Sequence, residues 1–184
     1  QDQPQLFGIV QGGSSPDLRR ECAEALLETG FDGYGYGGWP LDADYNLLDE
    51  MLGYVRELIP AEFPLHALGV GHPESVAACA EMGYQMFDSA LPTRDARRGR
   101  LYTFSGEAGL AGEWFKLIYI HDKEHIRDAR PLSGFCDCPV CQKYSRGYLN
   151  HLFRLNDHLY FRLATVHNLR FMRLLEDRMR THNE

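Results

Sequence analysis

No stretch of this chain approaches twenty consecutive apolar residues, so nothing in it reads as a membrane-spanning helix. Nor does it open with a basic-then-apolar leader of the kind removed on secretion. A surplus of cations is missing too: 19 Lys and Arg stand against 26 Asp and Glu, a formal net charge of −7. That balance argues against a protein that coats nucleic acid non-specifically, because neutralising phosphates takes cations. Low-complexity tracts are absent, and the only repeat is an alternation of strand-like and helix-like segments. Cysteine is scarce, five in 184 residues, and three of the five fall within six positions, where one short loop cannot pair them into disulfides. The other two, Cys22 and Cys79, lie in apolar helical stretches and are expected to be small core residues. This usage suits a reducing compartment, and a cytoplasmic location is expected. The chain starts with Gln1-Asp2 rather than Met, so its true N-terminus is expected to lie upstream.

What is present is most informative at Cys136-x-Cys138-x2-Cys141, followed by His167. Zinc favours four soft or borderline ligands in a tetrahedron, and three thiolates with one imidazole make a closed structural site. His151, His158 and His167 all lie downstream. Residues 142–156 carry Tyr148, Leu149, Leu152, Phe153 and Leu155 at helical spacing. At the helical rise, His151 would sit about 15 Å from Cys141, with His158 farther still. A turn at Asn156-Asp157 and a second, antiparallel helix would bring His167 back to the cysteines. Cys136, Cys138, Cys141 and His167 are therefore the expected Zn2+ ligands.

Before that cluster, short apolar runs alternate with amphipathic segments. Strands are expected at 6–10, 31–36, 65–68 and 85–87, with helices at 16–28, 44–58 and from Pro73 to Gly83. This β-α-β alternation predicts a parallel sheet. An irregular stretch to Ser133 follows, with a possible strand at 114–120.

Gln11, Gly37-Gly38, Gly69 and Asp88 each fall at the carboxyl end of a different expected strand. Parallel α/β folds bind ligands and do chemistry there. Asp88 follows the apolar Met86-Phe87 and could be a nucleophile, a general base or a cation ligand; spacing does not choose. Arg94, Arg97, Arg98 and Arg100 crowd one expected loop, a local basic patch in an acidic chain.

Taken together, these residues resemble the tRNA-guanine transglycosylases (queuine tRNA-ribosyltransferases). The resemblance runs through Leu6-Phe7-Gly8-Ile9-Val10-Gln11-Gly12-Gly13, Gly30-Phe31-Asp32-Gly33-Tyr34, Gly37-Gly38 and Leu68-Gly69-Val70-Gly71. It continues through Met86-Phe87-Asp88, Leu91-Pro92-Thr93-Arg94, the three clustered cysteines and His167-Asn168. It implies an α/β fold, the C-terminal half of a (β/α)8 TIM-type barrel with a zinc-binding helical subdomain. The expected division is 1–104 for the half barrel and 105–184 for the zinc subdomain and C-terminal helices.

The implied activity is exchange of guanine at the wobble position of tRNA for a 7-deazaguanine base, in the queuosine pathway. Asp88 would be the nucleophile forming a covalent ribosyl intermediate. Gln11, Gly37 and Gly38 would read the base edge, Leu68 and Gly69 would form pocket wall, and Arg94 and Arg97 would contact tRNA. The implied partners are tRNA with guanine at position 34, the incoming or outgoing base, and a separate or missing N-terminal half carrying the second acid. A homo- or hetero-oligomer is expected, and no membrane. Two alternatives are a transglycosylase acting on DNA and a non-catalytic tRNA-binding subunit. One departure is local: Trp39-Pro40-Leu41-Asp42-Ala43-Asp44 follows the paired glycines, with Ala43 where the family usually has Glu. Asp42 or Asp44 is a candidate substitute, and Asp44 also suits a helix N-cap.

Overall fold

The computed structural model describes residues 3–106 and 109–182. The chain divides into two compact units, Gln1–Ser89 and Ala90–Glu184. The first alternates β1 (Phe7–Val10), α1 (Pro16–Thr29), β2 (Gly33–Tyr36), α2 (Asp49–Leu58), β3 (Leu65–Leu68), α3 (Pro73–Glu81) and β4 (Met86–Asp88). All of these strands are parallel, in the spatial order β1-β2-β3-β4. Sequential order without a reversal is how a barrel wall is wound, whereas a doubly wound sheet reverses at a switch point.

Local chemistry starts and stops these elements. Ser15 accepts from Leu18 N to cap α1, Pro16 begins it, and Gly30 ends it. Pro73 likewise opens α3. Every residue of β2 is buried. Leu52, Val55, Leu65 and Ala67 are fully buried between helices and sheet, and each such leucine or valine contributes about 1.5–3 kcal/mol. β1 and β4 each have one strand neighbour among the described residues. Met86, on β4, remains 41% exposed.

The helix expected from residue 44 starts only at Asp49, and its cap position is Leu48, not Asp44. The reason is Asp42. Its carboxylate accepts from Asp44 N, Asn46 N and Asn46 Nδ2 at 2.8–3.0 Å, so it organises a loop closed by the Leu41–Leu47 bridge. Hydrogen bonds from Asn46 hold the Asp42 carboxyl below its ordinary range.

The second unit contains α4 (Leu91–Arg97), β5 (Arg100–Phe104), β6 (Phe115–Tyr119), a 3-10 turn at Lys123–His125, α5 (Pro139–Lys143), α6 (Arg146–Arg154) and α7 (His158–His182). β5 and β6 pair antiparallel from Arg100–Tyr119 to Phe104–Phe115. α7 packs on α4, β5, α5 and α6. Ala96, Leu101, Ile118, Leu132, Leu149 and Tyr160 form the centre of its core. Phe171 stacks on Phe104 with centroids 4.2 Å apart.

Several expectations change here. β5 lies in a stretch read as irregular: Leu101 to Phe104 are all buried, so no alternation marks them. The arginine cluster is not a loop, since Arg94 and Arg97 belong to α4, which Pro92 helps to start. The single helix expected over 142–156 is two, because Ser145 caps a new helix by accepting from Tyr148 N. The chain passes from the first compact unit to the second between Ser89 and Ala90, and α4 and β5 pack on α7.

Candidate active site and metal centre

In the first unit the parallel register brings the expected functional residues to one edge of the sheet. Val10 pairs with Tyr36 and Leu68 with Asp88, so Gln11, Gly37-Gly38, Leu68-Gly69 and Asp88 all lie at carboxyl ends of strands. Gln11 lies across Gly37: a Cβ at Gly37 would be 2.5 Å from Gln11 Nε2. Glycine is therefore required there for this Gln11 conformation. The backbone N of Gln11 donates to Cys22 Sγ at 3.3 Å.

Asp88 is presented rather than buried, with 63% of its side chain exposed. Its Oδ1 is nevertheless held twice. Gly69 N donates to it at 3.1 Å, and His66 Nε2 lies 2.9 Å away. Gly69 reaches this position with φ +77°, a conformation that glycine adopts without a Cβ penalty.

Arg19 ties the same edge together from below. It is 1% exposed. Nε donates to Gly13 O at 3.0 Å, and Nη1 donates to Val10 O and Gly37 O at 2.6 and 2.8 Å. Its guanidinium lies 4.2 Å from the centroid of Tyr36, whose phenol burial pushes up from its ordinary value. A cavity of about 600 Å³ beside it is lined by Arg19, Tyr36, Gly38, Trp39, Leu48 and Met51, among others. Of the expected base-reading residues, Gly38 alone is in that lining.

The second unit holds the cysteine cluster. The ligand atoms of Cys136, Cys138, Cys141 and His167 lie within 4.8 Å of one another. His167 Nδ1 is 3.9, 3.5 and 3.4 Å from the three sulfurs in turn. A zinc ion with ordinary Zn–S and Zn–N bonds has tetrahedral edges of about 3.6–3.8 Å, so the donor set and its spacing fit such an ion. His151 and His158 are exposed on the surface, and His167 is the histidine that joins the sulfurs, as the helical rise predicts.

The surroundings prepare this group for a metal. His167 Nε2 lies 2.8 Å from Tyr102 O, so its N–H donates there and Nδ1 is left with a lone pair facing the sulfurs. Cys138 Sγ accepts from Cys141 N at 3.4 Å and caps α5. Next in sequence, Asn168 accepts from Tyr102 N at 3.1 Å and donates to Pro92 O and Arg100 O, both at 3.0 Å. His167 and Asn168 are both fully buried. Also in this unit, Arg94 and Arg97 are exposed on α4, while Arg100 pairs with the buried Asp95 at 3.3 Å.

His66, Arg19 and the three bonds of Asn168 were not singled out by sequence reasoning. His66 had a signal: in a strand, positions 66 and 68 share a face, and Leu68 ends β3 opposite Asp88. Arg19 had none, because the neighbouring Leu18 is 55% exposed while the arginine is buried, against the usual order.

The family model described as queuine tRNA-ribosyltransferase matches residues 1–183. The queuine tRNA-ribosyltransferase of Caldanaerobacter subterraneus subsp. tengcongensis is 42% identical over 179 residues, covering 97% of this chain and 45% of that protein. Those of Thermoanaerobacter pseudethanolicus and Shewanella putrefaciens are each 41% identical over 175 residues, covering 95% of this chain and 44% of theirs. The chain thus spans less than half the length of these curated relatives. With the strand-end residues and the three-cysteine, one-histidine cluster in place, a match of this extent decides the assignment: the chain belongs to the queuine tRNA-ribosyltransferase family.

Proposed function

We propose that this chain supplies the nucleophile and part of the base pocket of a tRNA-guanine transglycosylase. That pentosyltransferase exchanges guanine at position 34 of tRNA for a 7-deazaguanine base in the queuosine pathway. The observation that carries the reading is Asp88: an exposed carboxylate at the end of β4, with Oδ1 held by two neighbours. An oxygen of Asp88 attacks C1′ of the ribose as the C1′–N9 bond breaks. The leaving base takes the electron pair and needs a proton from a group outside this chain. The facing carboxylate stabilises the oxocarbenium-like state and then forms the glycosyl-enzyme. Attack by the incoming base reverses these events, and two inversions give retention.

The base must leave its stack to be reached, so the pocket has to reward it with hydrogen bonds. Gln11, lying across Gly37, offers both a donor and an acceptor, and the Gly37-Gly38 backbone supplies further ones beside it. Leu68 and Gly69 wall the pocket next to Asp88. Arg94 and Arg97, exposed on α4, contact the tRNA near the target nucleotide. Cys136, Cys138, Cys141 and His167 would hold a structural zinc ion, which fills its coordination sphere with protein ligands and ties the second unit together. The remaining portion of the enzyme, absent from this chain, supplies the second acid and the other barrel strands.

The test is base exchange with radiolabelled guanine and guanine-34 tRNA on the complete enzyme containing this chain. Asp88→Asn is expected to lower exchange by about 10³-fold or more, with tRNA binding retained and no covalent tRNA adduct on a denaturing gel. Exchange at wild-type rate by Asp88→Asn would overturn the reading.

A further inference from the structure

Only one oxygen of Asp88 is tied down. His66 Nε2 and Gly69 N both engage Oδ1, at 2.9 and 3.1 Å. Among the described residues, Oδ2 has no hydrogen-bond partner. β3 and β4 pair with His66 opposite Met86 and Leu68 opposite Asp88, so His66 reaches Asp88 diagonally across the pair. On β3 the buried residues are Leu65 and Ala67, while His66 and Leu68 point to the other face, the one that carries Asp88. The imidazole is well placed to act as a clamp because its side chain is largely covered, 21% exposed, while the carboxylate is open. A covered donor has few rotamers to lose when it fixes an exposed acceptor.

We propose that His66 is a positioning residue for the nucleophile. Its Nε2–H, with Gly69 N–H, locks the carboxylate plane so that Oδ2 is the atom presented to the ribose. This inference rests on the reading of Asp88 as nucleophile. In the step it supports, a lone pair of Oδ2 forms the bond to C1′ as the C1′–N9 pair departs with the base, and the Nε2 proton stays on His66. The clamp contributes by orientation: an attacking atom misplaced by about 1 Å costs on the order of 10²-fold in rate. Gly69 alone cannot supply it, since one hydrogen bond leaves the carboxylate free to rotate about that contact.

The experiment is steady-state base exchange by the complete enzyme with His66→Ala, His66→Gln and His66→Asn, with Asp88→Asn beside them. Gln places its amide N–H near the position of Nε2, whereas Asn is too short and mimics Nδ1. His66→Ala and His66→Asn are expected to lower kcat by about 10- to 100-fold, with KM for tRNA and for the base within about twofold. His66→Gln should recover kcat to within about threefold of wild type. Metal content and thermal midpoint, read on each variant, separate loss of fold from loss of orientation. If His66→Ala keeps wild-type kcat, or if Gln and Asn behave alike, the clamp is wrong while Asp88 stands. An active Asp88→Asn would instead remove the reading on which the clamp is built.

Discussion

In the second unit two polar side chains at the cysteine cluster are sealed: His167 and Asn168 have no exposure, and both are bonded to the backbone of β5. In the first unit Asp88 sits at a sheet edge with 63% of its side chain exposed. The difference matches the roles proposed for each. A buried donor or acceptor left without a partner costs about 1–3 kcal/mol, so a fully satisfied buried set locks structure. For the nucleophile proposed above, the carboxylate must instead stay reachable, and its orientation has to come from partners at its side. The two units also differ in closure. The second wraps α7 against four elements and gathers Cys136, Cys138, Cys141 and His167 into one cluster, whereas the first has two sheet edges without a strand neighbour among the described residues. Unpaired parallel edges call for further strands, which accords with a chain that spans less than half of its relatives.

The comparison breaks most sharply if the proposed zinc ion or one of its ligands is removed. Cys138→Ser, or chelation, is expected to unfold the second unit. A structural zinc site contributes well beyond about 3 kcal/mol, and each kcal/mol is worth about 4–8 °C in a domain this small. The expected fall in its thermal midpoint is about 20 °C or more, followed by circular dichroism and by zinc release to a chromogenic chelator. A midpoint unchanged by stoichiometric zinc removal would mean that the helices hold without the ion.

Asn168→Ala tests the same unit without touching a ligand. It removes the side chain that accepts from Tyr102 N and donates to Arg100 O and Pro92 O. The expected loss is about 3 kcal/mol or more, read by urea unfolding of the metal-loaded protein, with zinc stoichiometry unchanged. A change in zinc stoichiometry would place Asn168 in the support of the ligand His167.

Gly37→Ala carries the comparison into the first unit, where function is expected to suffer more than stability. The new Cβ would lie 2.5 Å from Gln11 Nε2, and Gln11 has room to move off because it is exposed. Stability should fall by under about 1–2 kcal/mol, while KM for the base rises about tenfold, the net worth of about one hydrogen bond. A tight-binding Gly37→Ala variant would remove Gln11 from the pocket.

How much of this was legible in the chain follows the same divide. The β-α alternation and the cysteine spacing could be read directly, since strand period, helix rise and metal chemistry act over a few residues. His167 was found by carrying one helical rise through a turn. β5 escaped because its buried run, Leu101 to Phe104, lacks alternation. The late start of α2 escaped because Asp42 competes for backbone N–H groups that helix patterning assigns elsewhere. His66 and Arg19 are a different case: His66 meets Asp88 22 residues on, and Arg19 joins Val10 to Gly37, 18 residues past itself, so their roles exist only once the strands are in register.

The smallest expected effect, at Asp128, sharpens the contrast between sealed and open carboxylates. Arg130 donates to Asp128 from Nε, Nη2 and its backbone N at 2.8–2.9 Å, while Arg146 and the buried His125 each lie 3.7 Å from Oδ2. These hydrogen bonds, Arg130's side chain foremost, hold the Asp128 carboxyl well below the usual range. A carboxylate whose folded value is depressed contributes stability that is complete above the unfolded value, about 3.9. That contribution is lost as pH falls toward the folded value. Wild type should therefore lose more stability than Asp128→Asn between pH 6 and pH 3, with the two curves converging at the acid end. Because Arg130 is 73% exposed, the gap at pH 6 should also shrink in salt. Urea midpoints at both pH values and two ionic strengths measure this directly. Parallel curves from pH 6 to pH 3 would show that the pair is as loose as an ordinary surface contact, and that the sealing of this unit stops short of its 120–130 loop.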